Sequence, residues 1–308
     1  MTSPPARIEP HVAVTAAPGL GPDVYTNAKY AILPRIHLAD PGLSLEGSSS
    51  QALSAACATA PGTFQPYSSQ SSFLAPARRN EKIVYHVERT WEGRNFLTRV
   101  VRATQGVDII YVAIVSFQGG ASATDVNSLE YGTPKPELDQ SAEEINPNAM
   151  QALQSSLLDP SASVMQQGAE DRPLDWRPHS LETSDDPTEF RVRGYVRSPT
   201  PLSTRDCGVH LAAIAYASDE FFFGPAMAAN PTAVGKGAKN VALGATLTHN
   251  VSFHDRNARM DEWIVLERET TWGSEGRVMV RQMFWDMAGK MISSSTQEAL
   301  LRLKGAKI

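Results

Sequence analysis

Apolar positions follow two different rhythms along this chain, and the switches between them mark its elements. From His210 to Glu220 the run HLAAIAYASDE is apolar at almost every position, with four alanines around Leu211 and Ile214. Side chains this small let a helix sink entirely into a sheet. Asp219 stands where that buried element ends, so its carboxylate is either tied up by hydrogen-bond partners or held ready for proton chemistry. An earlier stretch from Gly47 to Thr59, GSSSQALSAACAT, reads as a second short-residue helix whose serines cap its first turn. Period-two segments follow each helix. After the first come Phe64–Leu74, Lys82–Thr90, Asn95–Ala103 and Val107–Gln118, with turn signals at Glu92-Gly93 and Gln105-Gly106. Phe190–Arg197, alternating apolar and basic residues, precedes the second helix. Val241–Phe253, Glu262–Thr271, Gly276–Trp285 and Lys290–Leu303 follow it, the last two turned at Ala288-Gly289. One helix with an antiparallel meander, twice over, is an α+β architecture.

The two meanders repeat one another. Each has a strand, a Trp-Gly turn region, a Gly-Arg restart, a long hairpin and a terminal glutamine, at Gln118 in the first and Gln297 in the second. Such units carry exposed sheet edges, and pairing edge to edge would join them into one continuous sheet with the two helices alongside. The expected organisation is a loosely ordered Pro/Ala-rich segment at 1–21, a first repeat at 22–120, a linker at 121–168 and a second repeat at 169–308. The linker is rich in Ser, Pro, Gln, Asp and Glu, with a helix-like insert at Asn148–Leu158.

At 308 residues and 42% hydrophobic content, the chain has the material for one large core or two medium ones. A net charge of −5 argues against an extensive nucleic-acid surface. Cys57 and Cys207 fall in no metal or redox spacing and suit a reducing compartment. His249 and His254 stand five apart on one strand run, a poor spacing for a shared metal, so no metal and no cofactor are expected. No apolar run reaches the length of a membrane span. The tripeptide Ala306-Lys307-Ile308 is a variant of the peroxisomal Ser-Lys-Leu address.

Several phrases together resemble the acyl-CoA thioesterase II family of double-hotdog enzymes: IVYHVERTWEGRNFLTRVVRATQG with IYVAIVSFQ, DRPLDWRP at Asp171–Pro178, VHLAAIAYASD at Val209–Asp219, ATLTHNVSFH at Ala245–His254, DEWIVLE at Asp261–Glu267, and STQEALLR ending at Arg302. They keep their order and cover most of the chain from about residue 24. The resemblance implies a double hotdog, a single sheet from two helix-plus-meander repeats around two central helices. It also implies an Asp/Thr/Gln set that orients water against a thioester carbonyl, falling on Asp219, Thr246 and Gln297. The chemistry is sound: a thioester is a reactive acyl donor, and a polarised water needs no covalent nucleophile. No Gly-x-Ser-x-Gly elbow offers the serine-hydrolase alternative.

Three segments depart from the family pattern, one of them a His-rich strand that reads Gln65-Pro66-Tyr67-Ser68-Ser69-Gln70 here. The family's Asp-His-Ser-Met-Trp-Phe-His is Thr248-His249-Asn250-Val251-Ser252-Phe253-His254 here, and its Gly-Gly-Gln before the first helix is Gly47-Ser48-Ser49. All three are expected around the acyl pocket. Phe221, Phe222 and His249 are the candidates for contact with the acyl chain, and Arg78 and Arg79 for the nucleotide phosphates, beside further basic pairs at Lys236/Lys239 and Arg256/Arg259. The reading is hydrolysis of an acyl-CoA, in a specialised pathway with an unusual acyl chain. Its alternatives are a silent acyl-CoA-binding protein and a hydratase using His254 and Asp255. Expected partners are acyl-CoA, an import receptor for Ala306, Lys307 and Ile308, and, as an open alternative, a second copy of the chain in a homo-oligomer.

Overall fold

A computed structural model of the chain describes residues 7–28, 47–78, 81–119, 129–149, 172–204, 206–220 and 223–305. Its centre is one 12-stranded antiparallel sheet. The first half supplies β1 (Val14–Ala16), β2 (Val24–Asn27), β3 (Phe64–Phe73), β4 (Val84–Glu92), β5 (Phe96–Gln105) and β6 (Asp108–Gly119). The second half supplies β7 (Asp175–Glu182), β8 (Arg191–Arg197), β9 (Val241–Phe253), β10 (Ile264–Ser274), β11 (Arg277–Asp286) and β12 (Met291–Leu303). Their order across the sheet is β1-β2-β4-β5-β6-β3-β9-β12-β11-β10-β8-β7, so the second half repeats the first in mirror sequence. The double hotdog read from the sequence is what the chain forms.

The halves join where β3 lies antiparallel to β9, from Ser68 opposite Ser252 to Ser72 opposite Thr248. Gln70 and Asn250, at the middle of this junction, occupy equivalent places in the two repeats. Pairing there removes the free edge that each half would otherwise expose.

Helices α1 (Glu9–Val12), α2 (Ser48–Cys57) and α3 (Cys207–Asp219) pack on one face of the sheet. Leu53 of α2 and Leu211, Ile214 and Tyr216 of α3 share a core with Tyr85, Val115, Phe117, Val251 and Phe284 of the strands. Alanines at 52, 55, 56, 212, 213, 215 and 217 are all buried, which is why both helices carry no polar stripe. Asp206 caps α3, accepting from the Gly208 N–H at 2.9 Å. Two further short helices, α4 (Phe223–Ala228) and α5 (Pro231–Val234), lie between α3 and β9. Ala226 closes over Val278, Val280 and Ala299.

Two segments depart from the expectation of loose chain. Residues 7–21 are folded onto the first repeat: Ile8 and Val12 are in the core and β1 pairs with β2. Two apolar residues one helical turn apart outweigh the surrounding proline and alanine. Residues 129–149 strap across the opposite face of the sheet. Ala142 and Ile145 pack on Tyr195, Trp263, Val265, Met283 and Trp285, and the Trp285 indole donates to the Thr133 carbonyl at 2.8 Å. The expected insert at Asn148–Leu158 lies mostly outside the described residues. Among the described residues no helix is long and apolar enough to cross a membrane.

Candidate active site

Asp219 is the last residue of α3, at the negative end of a buried helix, where its charge is disfavoured twice over. Three elements converge to hold it. Gln297 on β12 donates its amide to Oδ1 at 2.5 Å. Ser49 in the first turn of α2 donates to Oδ2 at 3.4 Å, and the Gly47 backbone adds a further hydrogen bond. The carboxylate thus leaves the negative end of one helix and meets the positive end of the other. Burial still dominates and pushes its pKa up to about 6, against the lowering by Gln297, Gly47, Ser49 and then Arg268.

The end of α3 is fixed from below by the sheet. Its last carbonyls have no helical partner and cannot reach water. Arg268 on β10 donates Nη2 to the Ala217 carbonyl at 2.9 Å, and Gln282 on β11 donates Nε2 to the Ser218 carbonyl at 2.5 Å. Arg268 also stacks on Trp176, its guanidinium carbon 4.8 Å from the ring, and the Trp176 indole donates to Glu220 at 2.7 Å. Burial raises Glu220 to about 7 and lowers Arg268 to about 10, the nearby opposite charges offsetting part of each shift.

The register places the remaining candidates. His249 lies directly opposite Gln297, and its Nε2 is 2.9 Å from the Ser218 hydroxyl. Ser218 gives its own proton to the Ala215 carbonyl at 2.8 Å, so the imidazole is the donor in that contact. Burial pushes His249 down to about 3, leaving it neutral. It therefore reaches the site as a support for the end of α3. Thr246 lies opposite Ala299 because the ladder shifts by one residue between Glu298 and Ala299. Without that bulge Thr246 would face away; with it, Thr246 shares the face of Gln297 and Ala299. The shift brings Asp219, Gln297 and Thr246 to one side of the sheet.

Other expectations fare differently. Arg78 lies beside the β5–β6 turn, ion-paired with Glu81 and Asp108. Arg79, Phe221, Phe222 and Ala306–Ile308 lie outside the described residues. Thr248, Asn250 and Ser252 were expected around the acyl pocket. They alternate with the inward His249, Val251 and Phe253 and so face away from Asp219. Among the departures only Gly47-Ser48-Ser49 touches the carboxylate. Among the described residues no cluster of three or more potential metal ligands occurs.

Comparison with known proteins now bears directly on this arrangement. Residues 48–118 match the acyl-CoA thioesterase N-terminal domain, and residues 137–301 match the acyl-CoA thioesterase C-terminal domain. The chain belongs to the acyl-CoA thioesterase family. It is 28% identical over 257 residues to acyl-CoA thioesterase 2 of Haemophilus influenzae, covering 82% of this chain and 85% of the relative. It is 26% identical over 264 residues to human acyl-coenzyme A thioesterase 8, covering 82% and 78% of the two chains. Among solved structures, an acyl-CoA thioesterase II from Mycobacterium marinum superposes with a TM-score of 0.73 at 22% identity, over 97% of this chain and 100% of that one. That likeness carries the family's fold.

The sequence reading named Asp219, Thr246 and Gln297 and passed over the residues packed around them. Arg268 and Gln282 passed as ordinary polar strand residues. Their parity held the signal: Arg268 alternates in step with Ile264 and Leu266, and Gln282 with Val280 and Phe284, all of them buried.

Proposed function

We propose that this family member hydrolyses an acyl-CoA to the free acid and CoA, with Asp219 as the base that activates water. The observation that supports it is the buried carboxylate gripped by Gln297 at 2.5 Å with its pKa lifted to about 6. A base of that strength is mostly ionised at neutral pH and still strong enough to take a proton from attacking water. Thr246 and the Gln297 amide, on the same sheet face, hold the water and support the oxyanion as the carbonyl becomes tetrahedral. The proton passes from water to Asp219 and then to the departing CoA thiolate. No covalent acyl-enzyme is needed.

In the same reading the substrate is an uncommon acyl chain of a specialised pathway. The serines at 48 and 49, which replace the family's Gly-Gln beside the site, support this. The Ala306-Lys307-Ile308 end supports peroxisomal delivery by an import receptor. Release of free thiol from a panel of acyl-CoAs tests the activity. Tight acyl-CoA binding with no thiol release on any member would instead identify a silent binding protein.

A further inference from the structure

Four buried polar side chains on the helix-facing side of the second-half sheet each keep one atom without a hydrogen-bond partner: Gln297 Oε1, Ser295 Oγ, Gln282 Oε1 and Arg268 Nε. All four residues are at most 3% exposed. They are also contiguous. Ser295 is two residues from Gln297 on the same face of β12, Gln282 lies directly opposite Ser295 on β11, and Arg268 lies directly opposite Gln282 on β10. The row starts at the residue that grips Asp219 and runs beneath the last turn of α3.

Each such atom is expensive to bury alone, and natural interiors rarely leave several together. The row does not serve the fold fully, because the other ends of Arg268 and Gln282 already cap α3. What remains is a donor at Arg268, an acceptor at Gln282 and a hydroxyl at Ser295 that does either.

Building on the thioesterase reading, we propose that this row recognises a hydroxyl group carried in the body of the acyl chain. A hydroxyl fits because it accepts from Arg268 Nε and donates to Gln282 Oε1 at once. An oxo group only accepts, and would set its oxygen against that of Gln282. A carboxylate would add a third negative charge beside Asp219 and Glu220, more than the neighbouring Arg268 and Arg172 can balance. A plain methylene chain would leave every atom of the row unsatisfied. Spacing along the strand puts Ser295 about 7 Å from Gln297. That separation places the hydroxyl several carbons from the thioester and not on the carbons next to it.

The test compares decanoyl-CoA with a series of hydroxydecanoyl-CoA isomers that walk the hydroxyl along the chain. Wild-type protein should favour one mid-chain isomer by at least about ten-fold in kcat/KM. Gln282→Met, close in size but without the acceptor, and Ser295→Ala should each shrink that ratio. The conservative Ser295→Thr should retain more of it than Ser295→Ala, which a purely structural role would not predict. Equal or better use of decanoyl-CoA against every isomer overturns the proposal and assigns the row to bound water. The same series is measured by calorimetric binding to the Asp219→Asn protein, which separates this inference from the reading it rests on. No thiol release from wild type, with the mid-chain isomer still bound preferentially, removes the hydrolase and keeps the hydroxyl site. Indiscriminate binding removes the hydroxyl site whatever the turnover.

Discussion

Gln297 and Asp219 stand 78 residues apart in sequence and 2.5 Å apart in space, the amide of the last strand donating to the carboxylate at the end of a buried helix. Two groups proposed to act on one water should fail together. Asp219→Asn keeps the shape and an acceptor for Gln297 but loses the base, so turnover should fall by roughly two to four orders of magnitude while acyl-CoA binding survives. Gln297→Ala should lose a comparable or smaller factor. The double variant should be far less than multiplicatively worse, because neither residue does its work once the other is gone. Single-turnover thiol release on folded protein measures all three. Wild-type-like rates in Asp219→Asn would remove the assignment.

Thr246 gives a finer test, because it reaches the inward face only through the bulge between Glu298 and Ala299. Thr246→Ser retains the hydroxyl and should stay within about ten-fold of wild type, whereas Thr246→Val, of nearly equal volume, should lose about 10²-fold or more in kcat. Matching losses in the two variants would show that the residue only packs.

The pH profile follows from burial. Asp219 titrates at about 6 instead of near 4, and the protonated form has no base to offer. The rate should therefore fall as pH drops through about 6 and level off above it. His249 is held neutral by burial and contributes no limb of its own in that range. Glu220, at about 7, is held by the Trp176 indole, so Glu220→Gln should leave the acid limb in place. A kcat/KM profile that is flat down to pH 5 would be inconsistent with a desolvated carboxylate as the base.

The elements were legible where side-chain size and alternation spoke without ambiguity. Alanines around Leu211 and Ile214 announced a sunken helix, and strands such as Val241–Phe253 emerge within a residue or two of their reading. The site was legible only in part. Asp219 and Gln297 were named by resemblance, but Ser49, which touches the same carboxylate, sits in the other repeat 170 residues away. Nothing local ties a serine at the start of one helix to an aspartate at the end of another. Thr248 and Ser252 were misjudged for the opposite reason, since closeness in sequence to Thr246 says nothing about facing once a bulge intervenes. The strap at 129–149 was hidden by its composition: prolines and charges read as linker, and what fixes it is supplied by the strands.

That strap yields the last prediction. Trp285 is fully buried between sheet and strap, and its indole is the donor that holds the Thr133 carbonyl. Trp263 donates to Glu143, and Tyr195 to the Gln140 carbonyl at 2.7 Å, so three aromatic donors pin the segment along its length. Trp285→Ala should cost about 3–5 kcal/mol, combining lost burial with the cavity left behind. Trp285→Phe refills most of that space but cannot donate, and should cost about 1–2 kcal/mol. In the alanine variant the strap should become the first site cut in limited proteolysis, around residues 129–149, before any strand of the sheet. The proposed site at Asp219 lies on the opposite face, so thiol release per folded molecule should change little at temperatures below the variant's melting transition. Cleavage that starts elsewhere, or a melting curve unmoved by Trp285→Ala, would mean that the strap is held by contacts other than these.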